Sequence, residues 1–250
     1  MLEQIQYSIK KARLSLSEWI LPGRFFVQEK LYAMYCRKEY QDFDDDIRIF
    51  NYRTGKLSRD GNRWFVIRML LDQVTTCPHG EYAELGTHQG RTARLIYKNM
   101  LKDSKLYCFD TFQGFDGKDV EIESKHSNYA VKAGDYGNTD ESSVIKCITG
   151  GGVQDRLVIR KGFFPDTAKG LEDIKWRFVH IDCDLAAPTK AGLFHFWGNL
   201  CPGGVILIHD FFGGFSDGIQ SVFKDFAIET KCAAVPMCDG GGSAVIRKAW

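Results

Sequence analysis

The chain has 250 residues, enough for one large domain or two small ones, and hydrophobic residues make up 44% of it. Its formal net charge is +1 at pH 7, so no overall field favours nucleic acid or an anionic membrane as a partner. No apolar run reaches the roughly 20 residues of a membrane helix, and the first residues lack the apolar core of a signal peptide. We therefore expect a cytoplasmic protein with no nucleic-acid partner and no membrane span.

The 8 cysteines are scattered along the chain without CxxC pairs, and several lie inside apolar runs. This pattern favours buried thiols of a reduced compartment over disulfides or a zinc site. We expect these cysteines to be free thiols.

Residues 1–62 are predicted to form a helical and loop extension to a main domain at residues 63–250. From Glu3 to Ile20 the apolar positions fall near helical spacing, until the turn at Pro22 stops the pattern. This amphipathic helix fits a helix packed on its own domain, a lid, a membrane-surface helix or a contact in a homo-oligomer.

After Glu81, apolar runs of strand length alternate with helical segments, which is typical of a mostly parallel sheet with helices on both faces. We predict strands at YAELG, KLYCFD, RLVIRK, RFVHID and GGVILIHD, and a closing pair at CAAVPMCD and SAVIRK. Helices are predicted at RWFVIRMLLDQV, TARLIYKNML, PTKAGLFHFWGNL and IQSVFKDFAIET.

The segment AELGTHQGRTARLI places Glu84, Gly86 and Gly90 at a strand-to-helix turn, where backbone N–H groups are open to a ligand. A dinucleotide fold would carry GxGxxG here, and Glu84 would repel a diphosphate, which disfavours a nicotinamide oxidoreductase. An acid suits S-adenosylmethionine (SAM), which carries an ammonium group and no phosphate. Asp110 ends the next strand, where a carboxylate can accept both ribose hydroxyls. The structural alternative is a tight turn followed by a helix-capping aspartate.

Asp182 and Asp184 close one apolar run, and His209 and Asp210 close the next. If the two runs are neighbouring parallel strands, a right-handed crossover brings Asp182 and Asp210 to one sheet edge. Two converging carboxylates favour a bound cation or proton between them. Oxygen ligands suit magnesium, whereas His209 as a third ligand favours manganese or iron. Asp184 is instead assigned to capping the next helix or tying down the turn.

This pattern fits transfer to a hydroxyl group, which must lose its proton as it attacks. Asp182 is the first candidate for the base, and His209 the second if no metal binds, since histidine titrates near neutral pH. His209 also fits a strand-end histidine bonded to a neighbour. We expect His180 to lie in the core, while His88 fits either an acceptor contact or a surface position. The aromatic pairs are an apolar floor for a ligand or ordinary core: Phe163, Phe164, Phe211 and Phe212.

The segments ELGTHQGRTA, FDTFQGF, GFFPDT, HIDCDLAAPTKAGLFHFWGNLCPGGVILIHDF and DGGGSAVIRK resemble the TylF/MycF type of SAM-dependent O-methyltransferases, which methylate sugar hydroxyls with the help of a metal. The resemblance covers roughly residues 63–248. It implies the class I SAM-dependent methyltransferase (Rossmann-like) fold, an α/β fold with a seven-stranded, mostly parallel sheet whose last strand is antiparallel.

The resemblance also implies roles for individual residues. Glu84 and Gly86 hold the amino-acid end of SAM, Asp110 holds the ribose, and the turn at Gly162 and Phe163 lies beside the adenine. Three neighbours complete the candidate donor site: Thr87, Gly90 and Thr111. A divalent metal is bound by Asp182, His209 and Asp210, and Asp182 is also the general base.

Two positions depart from the family pattern, which has a second acid in place of His209 and a tyrosine in place of Ala186. The expected function is O-methylation of a hydroxyl on a sugar or glycosylated small molecule. One alternative is a catechol-type O-methyltransferase with a flat phenolic acceptor. A second is a non-catalytic SAM-binding protein that has lost the metal site, to which both departures point.

Overall fold

The computed structural model describes residues 61–126, 131–212, 216–237, 239 and 242–250. The expected helix from Glu3 to Ile20 and nearly all of the expected extension, residues 1–62, lie outside the described residues. The domain boundary and a homo-oligomer contact through the extension therefore stay predictions.

Within the described ranges the chain forms one seven-stranded sheet and six α-helices. The strands are β1 (Glu81–Leu85), β2 (Leu106–Asp110), β3 (Leu157–Lys161), β4 (Trp176–Ile181), β5 (Leu200–Ile208), β6 (Val235–Pro236) and β7 (Ala244–Arg247). The helices are α1 (Gly61–Gln73), α2 (Arg91–Asn99), α3 (Gly117–His126), α4 (Glu141–Thr149), α5 (Ala186–Gly198) and α6 (Ser216–Thr230). Two short 3₁₀ turns lie at Val74–Thr76 and Asp166–Ala168.

The strand order is β3-β2-β1-β4-β5-β7-β6. The first five strands in this order are parallel, and β7 runs antiparallel to both β5 and β6. Sequence and structure therefore agree on a mostly parallel sheet of seven strands whose last strand is antiparallel.

The direction of the crossovers explains why helices cover both faces of the sheet. From β1 the chain moves through α2 to β2 on one side, whereas from β4 it moves through α5 to β5 on the other. Since both crossovers are right-handed, α2 and α5 lie on opposite faces. On the α5 face, Phe109, Ile206 and Trp176 pack with Phe196 in one buried cluster.

The expected strands are all present, although the sixth is shorter, because CAAVPMCD keeps only two paired residues. Helices α3 and α4 were not among those named from the sequence. Helix α4 has a clear local signal: the Asp140 side chain accepts a hydrogen bond from Ser143 N at 3.0 Å, and Gly150 ends the helix with a φ of 67°.

Six cysteines are described, and all are free thiols, in agreement with the sequence analysis: Cys77, Cys108, Cys147, Cys183, Cys201 and Cys232. Burial raises the pKa of several of these thiols, Cys108 and Cys183 most strongly. None of the helices in the described ranges is both long enough and apolar enough to cross a membrane.

Candidate active site

The candidate residues collect at the carboxyl ends of four adjacent parallel strands. Glu84 lies one residue before the end of β1, and Asp110 is the last residue of β2. Asp182 and His209 are the first residues after β4 and β5. Backbone hydrogen bonds continue past the strand ends, from Asp182 N to Leu85 O (2.8 Å) and from His209 N to Ile181 O (2.9 Å). The hydrogen bonds of the sheet therefore fix the backbone positions of these residues.

Asp182 and Asp210 meet around the His209 imidazole. His209 Nδ1 lies 2.8 Å from Asp182 Oδ1 and 2.8 Å from Asp210 Oδ2. One ligand atom from each of the three residues lies within 4.8 Å of the other two. The three side chains keep 12–20% of their surface exposed, so a small ligand has access to them.

Of the two roles expected for Asp184, capping the next helix is wrong, whereas tying down the turn agrees with its contact to Asp210. The N-cap of α5 is Leu185, which has no side-chain cap. Burial first, and the neighbouring Asp182 charge second, raise the pKa of Asp184 well above its ordinary value, and a hydrogen bond with Asp210 raises it further. The hydrogen bond between Asp184 and Asp210 ties the turn after β4 to the turn after β5.

The capping function belongs to Glu123 on α3, which sequence reasoning missed. Its Oε2 accepts a hydrogen bond from Ala186 N at 2.8 Å, and the residue is 3% exposed. Asp119, one helical turn earlier, is also buried, and burial raises its pKa to about 6. The segment GKDVEIESKH has no motif that would reveal this, because the contact joins residues distant in sequence.

Glu84 and His180 form a buried pair on neighbouring strands. They are paired in the β1–β4 register, and His180 Nδ1 lies 3.0 Å from Glu84 Oε1. Their exposures are 1% and 0%. The expectation of a core position for His180 is confirmed, but its bond to Glu84 was not foreseen.

Gly86 makes a turn that no other residue fits. Its φ is +89°, and a Cβ built there would lie 2.0 Å from Asp182 O. Gly90, with a φ of +74°, is the N-cap of α2 and packs against Val144 and Ile148 of α4. The glycine turn therefore lies directly beside the acid cluster that follows β4.

The Asp110 carboxylate organises the loops at the end of β2. Its Oδ2 accepts a hydrogen bond from His88 N and its Oδ1 one from Phe112 N, both at 2.7 Å. Each carboxylate oxygen has a second lone pair, so both remain able to accept a ribose hydroxyl. The His88 ring contacts Asn138, with Nε2 3.0 Å from Asn138 Oδ1.

The other candidate donor residues lie near Asp110. Gly162 N donates to Asp110 O at 2.9 Å, which brings the turn after β3 to the end of β2. Phe163, next to Gly162, has the Lys118 ammonium 5.9 Å from its ring centre. Thr111 Oγ1 donates to Gly114 O at 2.7 Å, so it supports its own loop.

The remaining candidate side chains differ in their burial. Thr87 is buried beside the glycine turn. Phe164 and Phe211 belong to the core cluster, whereas Phe212 is 49% exposed. Core packing is therefore the correct interpretation for Phe164 and Phe211.

The donor set of the acid cluster fits a divalent cation. Two carboxylates and one imidazole, whose ligand atoms lie within 4.8 Å of one another, match the span of ligands around a metal of this size. An imidazole nitrogen among oxygen ligands suits manganese or iron better than magnesium.

The sequence matches the methyltransferase domain family over residues 83–211, just over half of the 250 residues. The chain belongs to this family. The match begins on β1, beside Glu84, and ends just beyond Asp210, so it spans the whole candidate site. No curated protein matches the chain.

Solved structures of methyltransferases share the fold. CalS11, a calicheamicin methyltransferase also described as a TDP-rhamnose 3'-O-methyltransferase, has a TM-score of 0.64 at 17% identity, with 91% of this chain and 94% of that chain covered. The O-methyltransferase NovP has a TM-score of 0.61 at 16% identity, covering 76% and 80%. TomG from Streptomyces achromogenes, an O-methyltransferase solved with SAM, has a TM-score of 0.55 at 11% identity, covering 88% and 96%. These likenesses confirm the class I SAM-dependent methyltransferase fold.

Proposed function

We propose that this methyltransferase-family protein is a SAM-dependent O-methyltransferase of the TylF/MycF type, which methylates a hydroxyl of a sugar or glycosylated small molecule. The observation that carries the proposal is the meeting of Asp182, His209 and Asp210 at the sheet edge that also holds Glu84 and Asp110. In this proposal, a proton acceptor lies next to a site for a positively charged methyl donor.

On the donor side, the candidate residues are assigned to different parts of SAM. The Glu84 carboxylate is the acceptor for the ammonium group of SAM, and Gly86 makes the tight turn beside it, with a φ of +89°, at which the amino-acid end is expected to bind. Asp110, whose two oxygens each keep a lone pair, accepts the ribose hydroxyls. The turn at Gly162 and Phe163 flanks the adenine. When bound, SAM supplies an electrophilic methyl group on a sulfonium.

On the acceptor side, Asp182 takes the proton of the attacking hydroxyl. Its Oδ1 lies 2.8 Å from His209 Nδ1, and 20% of its side chain is exposed. His209 is a weaker candidate for the base, because its Nδ1 already lies against two carboxylates. In this proposal His209 orients Asp182 and Asp210, and it is a ligand when a metal is bound.

A divalent metal bound by Asp182, His209 and Asp210 would lower the pKa of the acceptor hydroxyl and fix its position. Without a cation, these carboxylates need a shared proton. After burial, the repulsion from the Asp182 charge is the next cause of the raised pKa of Asp184. Manganese and iron suit the donor set, and magnesium remains the metal that the family resemblance implies.

A sugar acceptor is favoured by the TylF/MycF resemblance and by the substrate named for CalS11, TDP-rhamnose. The proposed acceptor is therefore a small molecule or glycan, with no nucleic acid and no membrane span involved. The proposed location is the cytoplasm, where SAM is made and thiols stay reduced.

The test is a panel of nucleotide sugars, glycosides and catechols incubated with methyl-labelled SAM, in the presence of each metal and of a chelator. Label on a sugar hydroxyl, lost with the chelator, is the expected result. Transfer only to catechols would replace the sugar proposal with the catechol-type alternative. SAM binding with no transfer to any acceptor and no response to metal would favour the non-catalytic alternative.

A further inference from the structure

His180 is a buried titratable residue that the proposed mechanism does not use. It lies in the middle of the sheet on β4, where the neighbours Val179 and Ile181 are apolar and fully packed. A histidine in such a place is costly to bury unless its nitrogens have partners. Its presence therefore needs a reason beyond packing.

The contact between His180 and Glu84 supplies such a reason. The two residues are register partners on adjacent parallel strands, so their side chains leave the same face of the sheet. His180 Nδ1 lies 3.0 Å from Glu84 Oε1. Binding an ammonium group requires Glu84 to be ionised, and an ionised carboxylate only accepts hydrogen bonds, so in the proposed site Nδ1 carries the hydrogen and donates it to Glu84.

The other ring nitrogen of His180 faces Asp182, which is on the proposed acceptor side of the site. His180 Nε2 lies 4.0 Å from Asp182 Oδ2, and the centre of the His180 ring lies 6.5 Å from that of His209. One imidazole thus stands between the carboxylate assigned to the methyl donor and the carboxylate assigned to the acceptor. It keeps the two negative groups apart and restricts how Glu84 can turn.

We propose that His180 is a positioning residue that acts through Glu84, holding its carboxylate toward the ammonium group of the methyl donor. This proposal rests on the proposed function, because it assumes that SAM binds at Glu84. The donor on Oε1 helps to hold the orientation of the carboxylate for a charged partner, and its removal takes away one of the contacts that restrict how the carboxylate turns.

Two substitutions separate the two ring nitrogens. In His180→Asn the side-chain amide nitrogen takes the place of Nδ1, so it keeps a donor for Glu84. In His180→Gln the amide nitrogen takes the place of Nε2, so the donor to Glu84 is lost while size and polarity are kept. Both variants carry an amide in the core, which makes them a matched pair for stability.

The measurement is calorimetric binding of two probes to wild type and to both variants. The probes are S-adenosylhomocysteine and its deaminated analogue, which keeps the carboxylate and lacks the ammonium group. Wild type is expected to prefer S-adenosylhomocysteine by about tenfold to a hundredfold, the usual range for a hydrogen bond between charged groups. His180→Asn should keep that preference, and His180→Gln should reduce it to about threefold or less, with the deaminated analogue bound as in wild type.

The possible outcomes test the role of His180 separately from the binding of SAM. Equal preference in wild type, His180→Asn and His180→Gln would overturn the role of His180 while leaving SAM binding intact. Loss of preference in both variants would also overturn it, because the Nδ1 donor would not be what matters. Failure of wild type to bind S-adenosylhomocysteine would instead remove the proposed function. If His180→Gln does not fold, His180→Ala takes its place as the variant without a donor to Glu84: a preference kept in His180→Ala would overturn the role of His180, and a preference lost there but kept in His180→Asn would support it.

Discussion

Asp182 and His209 lie far apart in the sequence, yet Asp182 Oδ1 and His209 Nδ1 are 2.8 Å apart. The parallel pairing of β4 and β5 produces this contact, because Ile181 pairs with Ile208 and the next residue of each strand leaves the sheet at the same edge. The pair is the centre of the proposed acceptor site.

Asp182→Asn should remove the proton acceptor and keep the shape of the side chain. Methyl transfer is expected to fall by about a hundredfold or more, the usual contribution of a general base. SAM affinity should change by less than about threefold, since Glu84 and Asp110 are untouched. Labelled methyl transfer and calorimetry measure the two effects. An active Asp182→Asn enzyme would exclude Asp182 as the base.

His209→Asp should change which metal the site prefers. With an imidazole among the ligands, wild-type transfer is expected to need less manganese than magnesium. The variant, with oxygen ligands only, should reverse that order. Activity measured against the concentration of each metal shows the preference. The same metal order in both proteins would mean that His209 is not a ligand.

Gly86→Ala should destabilise the protein by more than backbone strain alone. The added Cβ would meet Asp182 O at 2.0 Å, with φ at +89°. Gly170→Ala is the matched control, because Gly170 has a φ of +82° but open space around it. We expect a loss of about 1 kcal/mol in the free energy of unfolding for the control and several kcal/mol for Gly86→Ala, measured by urea unfolding. Similar losses would show that the turn moves freely away from Asp182.

Asp119 should make the folded protein less stable as the pH rises. Burial, the nearby Asp116 and then Glu123 raise its pKa from 3.8 to about 6. The folded state therefore binds the proton more tightly than the unfolded chain, so stability falls as the pH rises from about 4 to 7. Asp119→Asn removes this loss. Relative to wild type, the variant should match at pH 4 and be more stable at pH 8 by on the order of 1–3 kcal/mol.

Urea unfolding at several pH values measures this difference. Asp103→Asn is the control, because the Asp103 side chain is 68% exposed. A constant difference between Asp119→Asn and wild type at every pH would contradict the raised pKa.

The strands and the acid cluster followed from the sequence because both depend on local patterns combined with parallel pairing. Apolar runs marked β4 and β5, and the right-handed crossover placed Asp182 and Asp210 together. The glycine turn was likewise visible, since Glu84 and Gly86 sit at a strand end.

Other features depend on contacts between distant segments, which no local pattern reveals. The cap on α5 comes from Glu123 on another helix and not from the nearby Asp184. The His180–Glu84 bond depends on the exact register of β1 against β4. In contrast, Asp140 had a visible capping signal before α4.

The most direct test of the account is calorimetric titration of SAM into the purified protein and into Asp110→Ala. We expect one SAM bound per chain, with affinity at least about tenfold weaker in the variant, because Asp110 is the proposed ribose partner. A wild-type protein that binds no SAM would contradict the central claim, that this sheet edge is built for a positively charged methyl donor.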